Sequence, residues 1–417
     1  MKKQAVTAYD AALHELHSVA SIMNLPDATV RFLETPQRLI AVTLPLRMDD
    51  GSTQCFMGYR SQHNHALGPS RGGTRLHHDE TIDDVKALSF WMTIKNSLAG
   101  IPCGGGKGGI AVDPAALSQS ELERLCRAYI QAIYPVLQPD MDVAGPDMGT
   151  PPQVMAWMMD EYERLSGKHV PGGFTGKPIL LGGSQGRVQS TGFALVHSTA
   201  EFLRRHEQTL EGKTVAIQGF GNLGSNAAAT FAQLGAKVIA VNDVFGGIHN
   251  AKGIDIPAAI ALLQKAGTIK DMPGCDRIDN AALLAMDCDI LVPAALHNQL
   301  TAENAPKLRA RCIVEAANGP TTPEAEQIIL DRGIPLLPDI IANAGGVTTS
   351  YFENVQNRTT LYWSEEEVLT RLKANTIQVC ANVCAVARER KLSMRKAAWV
   401  LALDKVIQAM KLRGWVS

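Results

Sequence analysis

The sequence predicts an α/β protein of two domains with a helical C-terminal return, and three observations carry that reading. Residues of about 185–345 run strand, helix, strand, helix, with short apolar β runs at Thr214–Gln218, Lys237–Val241, Asp289–Val292 and Cys312–Glu315. Such alternation implies a parallel sheet with crossover helices. Residues before about 180 mix strand-like runs (Leu39–Leu46, Cys55–Tyr59) with helical stretches and two Gly-rich loops. From Ser364 the pattern is helical, and Ser364 with Glu367 has the spacing of a capping box that opens the last long stretch. A length of 417 residues suits two or three domains of ~150 residues.

Composition then removes whole classes of function. Hydrophobic residues make up 46% and charged residues 19%, enough for large cores and unlike a disordered chain. Forty Lys+Arg against 41 Asp+Glu leave a net charge of −1, which argues against a nucleic acid or an anionic membrane as the main partner. No apolar run approaches the ~18–20 residues of a membrane span. The opening segment MKKQAVTAYDAALHELHSVASIM is charged throughout and reads as an amphipathic helix, not a signal peptide. Eight cysteines lack zinc spacing, and Cys380 and Cys384 are four apart on a helical pattern; reduced thiols in a cytoplasmic protein without a metal are expected.

The strand Thr214–Gln218 runs into Gly219, Phe220, Gly221, Asn222, Leu223 and Gly224, followed by an alanine-rich helical run. The spacing is G-x-G-x-x-G: a tight turn, a bare backbone for a pyrophosphate, and close packing of helix on strand. The helix N-terminus offers unpaired N–H groups to an anion. The next strand ends at Asp243, where a carboxylate can accept hydrogen bonds from the adenosine ribose. Together these make a Rossmann-like dinucleotide site. Val244 and Phe245 follow Asp243 with no cation to meet a 2′-phosphate, so NAD is favoured; Lys252 could fold back and admit NADP. Other strands of this sheet end in Pro293-Ala294-Ala295 and Glu315-Ala316-Ala317-Asn318-Gly319. The small residues admit a flat ring, and Asn318 offers an amide to a ribose or nicotinamide.

The first half places lysines where lysines are costly. Val85, Leu88, Met92 and Ala99 fall on one helical face with Lys95, and a cation on a core-facing stripe must snorkel or meet an anion. Five glycines surround Lys107 in Ile101–Gly109, without the G-x-x-x-x-G-K-[ST] pattern of a P-loop. Upstream, Gly68–Arg75 sets Arg71 and Arg75 beside glycines. Several cations near small residues suit a substrate with more than one carboxylate, or a carboxylate and a polarised carbonyl. Asp147, in the run Asp142–Thr150, is a candidate proton shuttle, although such an Asp also commonly makes an Asx turn before a helix. A nicotinamide implies hydride transfer. A lysine made less basic by burial and nearby cations can act as a base, and an aspartate beside it can carry protons to and from nitrogen. An amino-acid dehydrogenase needs that combination.

The segments WMTIKNSLAGIPCGGGKGGI, DVAGPDMGT, GKPILLGGSQGR, IQGFGNLGS, PAALHNQLT, VEAANGPTTPEA and PDIIANAGGVTTSYFENVQN, in this order over about residues 55–360, resemble the glutamate/leucine/phenylalanine/valine dehydrogenase family, its glutamate-acting members most of all. The resemblance implies an enzyme acting on a CH–NH2 group: NAD-dependent, reversible oxidative deamination of L-glutamate to 2-oxoglutarate and ammonia. It implies a substrate-binding and oligomerisation domain over 1–184, a Rossmann-like NAD-binding domain over 185–345, C-terminal helices over 346–417 packing back on the first domain, a cleft between the domains, and homo-hexamers. By motif, Lys107 resembles the catalytic lysine and Asp147 the proton-transfer aspartate. Lys95 resembles the lysine of the α-carboxylate, with Met92 lining the site one turn earlier. Asn343 and Ser350 stand at substrate-side positions. Thr191 resembles the threonine at the nicotinamide carboxamide, and Asn222 the asparagine at the pyrophosphate. Arg71 replaces the lysine usual in glutamate-acting members, where leucine-acting members have an apolar residue; it keeps the charge but not the shape. Gly145 stands where Ala is common, and His78 replaces a usual Pro. A branched-chain or aromatic amino-acid dehydrogenase is the alternative reading, and a catalytically inactive regulatory homologue a third.

Overall fold

The computed structural model describes residues 7–417; residues 1–6, the start of the expected amphipathic N-terminal helix, lie outside the described residues. The rest of that expectation forms as the helix Ala8–Met23, opened by a capping box of Thr7 and Asp10. Five strands follow, β1 (Arg38–Arg47), β2 (Thr53–Asn64), β3 (Ser70–His77), β4 (Gly104–Ala111) and β5 (Asp142–Pro146), in the spatial order β1-β2-β4-β3-β5. The two Gly-rich stretches expected as loops are therefore strands, β3 and β4, paired in parallel with Arg71 opposite Gly105. Period-2 pattern reading misses β4, most of whose residues have no side chains to alternate, and β3, which carries Gly72 and Gly73 and has no exposed face. The glycines act through close approach: a Cβ on Gly105 would stand 2.1 Å from the Ser89 carbonyl and 2.2 Å from the Thr93 hydroxyl, so the helix Ile82–Leu98 rests directly on β4.

That helix begins with a capping box of Thr81 and Asp84 and buries Val85, Phe90, Ile94 and Leu98. Leu88, Met92 and Lys95 are only half-buried, so the stripe expected to face the core is the flank of the helix. On another side of the sheet, Leu44, Leu76 and Ile110 pack with Leu125, Tyr129 and Ile130 of the helix Gln119–Ile133 and with Met155 and Met158 of the helix Pro152–Ser166. Truncating one of these large apolar side chains, such as Leu125→Ala, costs ~2–5 kcal/mol.

The second sheet takes β6 (Thr214–Gln218), β7 (Lys237–Asp243), β8 (Gly246–His249), β9 (Asp276–Ile278), β10 (Ile290–Pro293), β11 (Cys312–Val314) and β12 (Leu336–Leu337), in the order β12-β11-β10-β6-β7-β8-β9. Strands β12, β11, β10, β6 and β7 run parallel, whereas β8 and β9 add an antiparallel edge. The strand order reverses between β6 and β10, the crevice at which open α/β sheets bind ligands.

Two units result: Met1–Gln185 with Val347–Val368 and Trp399–Ser417, and Gly186–Gly346 with Leu369–Ala398. The C-terminal helices Glu365–Arg390 and Met394–Leu412 are thus divided between the units rather than returning as one block. Among the described residues no helix is long and apolar enough to cross a membrane, and all eight cysteines are free.

Candidate active site

Lys107 stands in the middle of β4, opposite Ser61 of β2, on the strand face it shares with Gly105 and Gly109. Its side chain is 3% exposed, and its Nζ donates a hydrogen bond to Asp147 Oδ2. Asp147 follows the end of β5 and is fixed by a turn: its N–H donates to the Thr150 hydroxyl at 2.7 Å, and that hydroxyl donates to the Thr74 carbonyl at 2.9 Å. The Met148 N–H donates to Asp147 Oδ1 at 2.8 Å, one residue on and not the two of an Asx turn, so the Asp147 side chain holds its own loop in a different way from the one expected. Arg75 Nε donates to that oxygen as well, at 3.0 Å. Arg75, expected as one of several cations for substrate, is thus engaged with Asp147.

These partners set the proton affinities. Burial lowers the Lys107 pKa below the ordinary ammonium value against the pull of Asp147, and the Arg75 charge lowers it further. Burial alone would raise Asp147, but Lys107 and Arg75 outweigh it and hold the carboxyl well below the usual range. A carboxylate that stays ionised beside a lysine that deprotonates readily is an acid–base pair, and Asp147, with 28% of its side chain exposed, can still exchange protons with a bound molecule.

Arg71 lies on β3 with only 2% of the residue exposed. Its Nη2 donates to the Ser350 hydroxyl at 2.8 Å, and that hydroxyl lies 2.7 Å from Thr175 Oγ1. Nε and Nη1 of Arg71 have no hydrogen-bond partner. A buried guanidinium with two unpartnered donors has the chemistry to hold an anion. Three residues below Ser350 on the helix Gly345–Thr359, Glu353 binds Lys177 Nζ at 2.7 Å with neither side chain exposed, and accepts from the Gly176 N–H at 2.8 Å. That pair holds the Thr175 segment against the Ser350 helix.

In the second unit, β6 ends at Gly219, whose φ of +95° suits glycine. A Cβ on Gly224 would meet the Gly219 carbonyl at 1.8 Å, whereas one on Gly221 would meet nothing within 4 Å. The turn is therefore closed on the strand side and open at Gly221, where the helix Asn222–Gln233 presents its first N–H groups. Asn222 Nδ2 donates to the Val188 carbonyl at 3.2 Å. Thr191 is in the first turn of the helix Ser190–Arg204, half-buried. Asp243 already accepts from the Phe245 N–H, the Thr268 hydroxyl and the Ile269 N–H at 2.7–2.8 Å, leaving one of four acceptor positions for a ribose hydroxyl. Asn343, expected with the substrate group, donates to Asn318 Oδ1 at 2.9 Å and to the Ala316 carbonyl at 3.1 Å; it groups with Asn318 in the second unit. Among the described residues one group of three potential metal ligands, His77, His78 and Asp79, brings its ligand atoms together, and His78 and Asp79 are exposed.

Sequence reasoning missed Glu80, Thr175 and Glu353 and the engagement of Arg75. It also passed over Arg60, buried on β2, whose Nε donates to Asp142 Oδ2 at 2.8 Å and which pins β5 behind Asp147. Glu80, Glu353 and Arg60 lie outside the Gly-rich and nucleotide motifs. A charged residue at an inward β position was the available signal at Arg60; Glu80, in a turn, offered none.

Comparison with known proteins places the chain. A model described as "Glutamate/Leucine/Phenylalanine/Valine dehydrogenase" matches residues 182–414, and one described as "Glu/Leu/Phe/Val dehydrogenase, dimerisation domain" matches residues 36–164. The chain is 46% identical over 383 residues to the NAD-specific glutamate dehydrogenase of Staphylococcus aureus (strain COL), 92% of each protein. It is 45% identical over 404 residues to the cryptic catabolic NAD-specific glutamate dehydrogenase of Bacillus subtilis (strain 168), covering 96% of this chain and 94% of that one. Among solved structures, glutamate dehydrogenase from Peptoniphilus asaccharolyticus superposes with a TM-score of 0.90 at 40% identity, over 98% of this chain and 100% of the other. The hetero-hexameric enzyme from Thermus thermophilus in its Leu-bound form gives 0.92 at 36%, over 100% and 99%.

Proposed function

The chain belongs to the glutamate/leucine/phenylalanine/valine dehydrogenase family, and from that premise we propose that it catalyses the NAD-dependent, reversible oxidative deamination of L-glutamate to 2-oxoglutarate and ammonia. The observation that carries the choice of glutamate is Arg71: a buried cation with two bare donors suits the distal carboxylate of a diacid and rejects an apolar side chain, which would leave those donors unmatched. Ser350 and Thr175 complete that subsite. Lys95, half-buried one turn after Met92, serves the α-carboxylate.

The open backbone at Gly221 and the remaining acceptor position of Asp243 fit a dinucleotide, with Asn222 beside the pyrophosphate, and Thr191 and Asn318 toward the nicotinamide end. When bound, NAD supplies the acceptor for the hydride that leaves the substrate Cα. Asp147 takes a proton from the substrate amine, so that the nitrogen lone pair forms the C=N bond as the hydride departs. Lys107, in its neutral form, takes a proton from a water whose oxygen bonds to the imine carbon. Asp147 returns its proton to the nitrogen; as the C–N bond breaks and ammonia leaves, the hydroxyl of the tetrahedral adduct gives its proton to the re-ionised Asp147, and the carbonyl of 2-oxoglutarate remains. The two groups that handle these protons are hydrogen-bonded to each other. A cytoplasmic homo-hexamer, six copies of a 44.9 kDa chain, belongs to the same proposal and is checked by light scattering.

Steady-state kinetics with glutamate, leucine and phenylalanine, each against NAD and NADP, test the reading. Glutamate with NAD should have the highest kcat/KM. Faster turnover of leucine at saturating NAD would overturn the assignment.

A further inference from the structure

Glu80 is a buried carboxyl for which the mechanism above has no use. Its side chain is 2% exposed, and Oε1 has no hydrogen-bond partner. The carboxyl rests on the bare backbone of Gly109, two residues beyond Lys107 on β4; a Cβ there would come within 2.8 Å of Oε1. Its Oε2 is 3.8 Å from Arg75 Nη1, and the same guanidinium donates through Nε to Asp147. Arg75 is therefore shared between two carboxyls, one of which is the Lys107 partner. Burial with an unmet oxygen disfavours the charged form, so neutral Glu80 leaves Arg75 to Asp147.

We propose that Glu80 is a positioning residue for the Lys107–Asp147 pair, acting through Arg75, and that its own ionisation governs how readily Lys107 releases a proton. The proposal rests on Lys107 being the base of the deamination. With Glu80 neutral, Arg75, Lys107 and Asp147 carry a net single positive charge, and Lys107 loses its proton easily. With Glu80 ionised the group is neutral overall, Lys107 holds its proton, and Arg75 is drawn off Asp147.

The charged and titratable groups around Glu80 come from every neighbouring element. They are Arg75 on β3, Lys107 on β4, Asp147 after β5, Asp84 on the helix Ile82–Leu98, and the Tyr129 hydroxyl on the helix Gln119–Ile133. Burial pushes Glu80 up to about 7 against the pull of Arg75 and Lys107, with Asp84 and Asp147 adding to the rise. Two interacting groups that change charge over overlapping pH ranges spread a titration, because loss of the first proton strengthens retention of the second.

Glu80→Gln keeps the shape and removes the charge. The rise of kcat/KM for glutamate with pH should move to lower pH by at least ~0.5 unit, about 3-fold more activity on the acid side, and should sharpen to the slope of one proton. Glu80→Leu, checked for folding by its melting curve, should move the limb in the same direction, since charge and not shape is removed. A purely structural role predicts loss at every pH with the limb unmoved, and that result overturns the proposal. Infrared difference spectroscopy against Glu80→Gln supplies a readout free of turnover: a protonated-carboxyl band should vanish near pH 7 in the wild type and persist to higher pH in Lys107→Met. Absence of that band at all pH values overturns the proposal independently of the Lys107 assignment. Turnover surviving in Lys107→Ala removes the base reading itself.

Discussion

Replacing Arg71 by Met should raise the stability of the free protein and abolish most glutamate turnover, two effects of opposite sign from one side chain. Arg71 is 2% exposed, with Nε and Nη1 unpartnered and Nη2 donating to Ser350. Each unmet buried donor costs ~1–3 kcal/mol, whereas the lost bond to Ser350 is worth roughly 1.5–3 kcal/mol and that hydroxyl keeps Thr175 as a partner. A methionine of similar reach fills the space without a charge to desolvate, so the free protein should gain on the order of 1–3 kcal/mol. In the substrate complex the same two donors are expected to bind a carboxylate. Two charge-assisted bonds of ~1.5–3 kcal/mol each amount to ~10²–10⁴ in kcat/KM for glutamate. Denaturant melts of the substrate-free protein give the first quantity, and initial rates with glutamate and leucine at saturating NAD give the second. Leucine should lose far less than glutamate, or gain. A variant that keeps glutamate kcat/KM within about 3-fold, or one whose free form is clearly destabilised, would falsify the anion-site reading of Arg71.

Lys107→Ala should lower kcat by ~10²–10⁴ while NAD binding, followed by fluorescence titration, stays near the wild-type value; a small effect on kcat removes Lys107 from proton transfer. Gly224→Ala drives a Cβ to 1.8 Å from the Gly219 carbonyl, so the turn must open and NAD affinity should fall at least ~10-fold, read by the same titration. His63 is buried between the Thr93 hydroxyl and the Leu33 carbonyl, and burial lowers its pKa from 6.5 to about 4. Its folded form is the neutral one, so its contribution is whole above pH 6.5 and declines as pH falls toward 4, by ~3 kcal/mol in all. Denaturant melts stepped through that window should show about one proton taken up on unfolding that His63→Leu lacks; equal pH dependence in the two proteins would contradict it.

The second sheet was legible because its information is local. Thr214–Gln218 is a strand with the bounds read from its apolar run, and the glycines that follow it make the expected turn. The Ser364–Glu367 capping box likewise forms as spaced, the Ser364 N–H donating to Glu367 Oε2 at 2.8 Å. The first unit was harder to read. Glycine hides β4 from a pattern method, since a residue without a side chain has no face, and β3 lacks the exposed side that alternation would reveal. The half-buried stripe of Leu88, Met92 and Lys95 shows the converse limit, for helical period alone does not say which side meets a neighbour.

By itself the sequence singled out the candidate chemistry-bearing residues and the glycine turn after β6, because glycine spacing, charge type and strand-to-helix order are properties of neighbours along the chain. Tertiary structure alone decided what those residues are paired with. It joined Lys107 to Asp147 across 40 positions, engaged Arg75 and set Glu80 behind it, and brought Ser350 to Arg71 from 279 residues away, leaving two of that guanidinium's donors bare. Proton affinity and anion affinity depend on burial and on partners distant in sequence, and both come into being only when the chain folds.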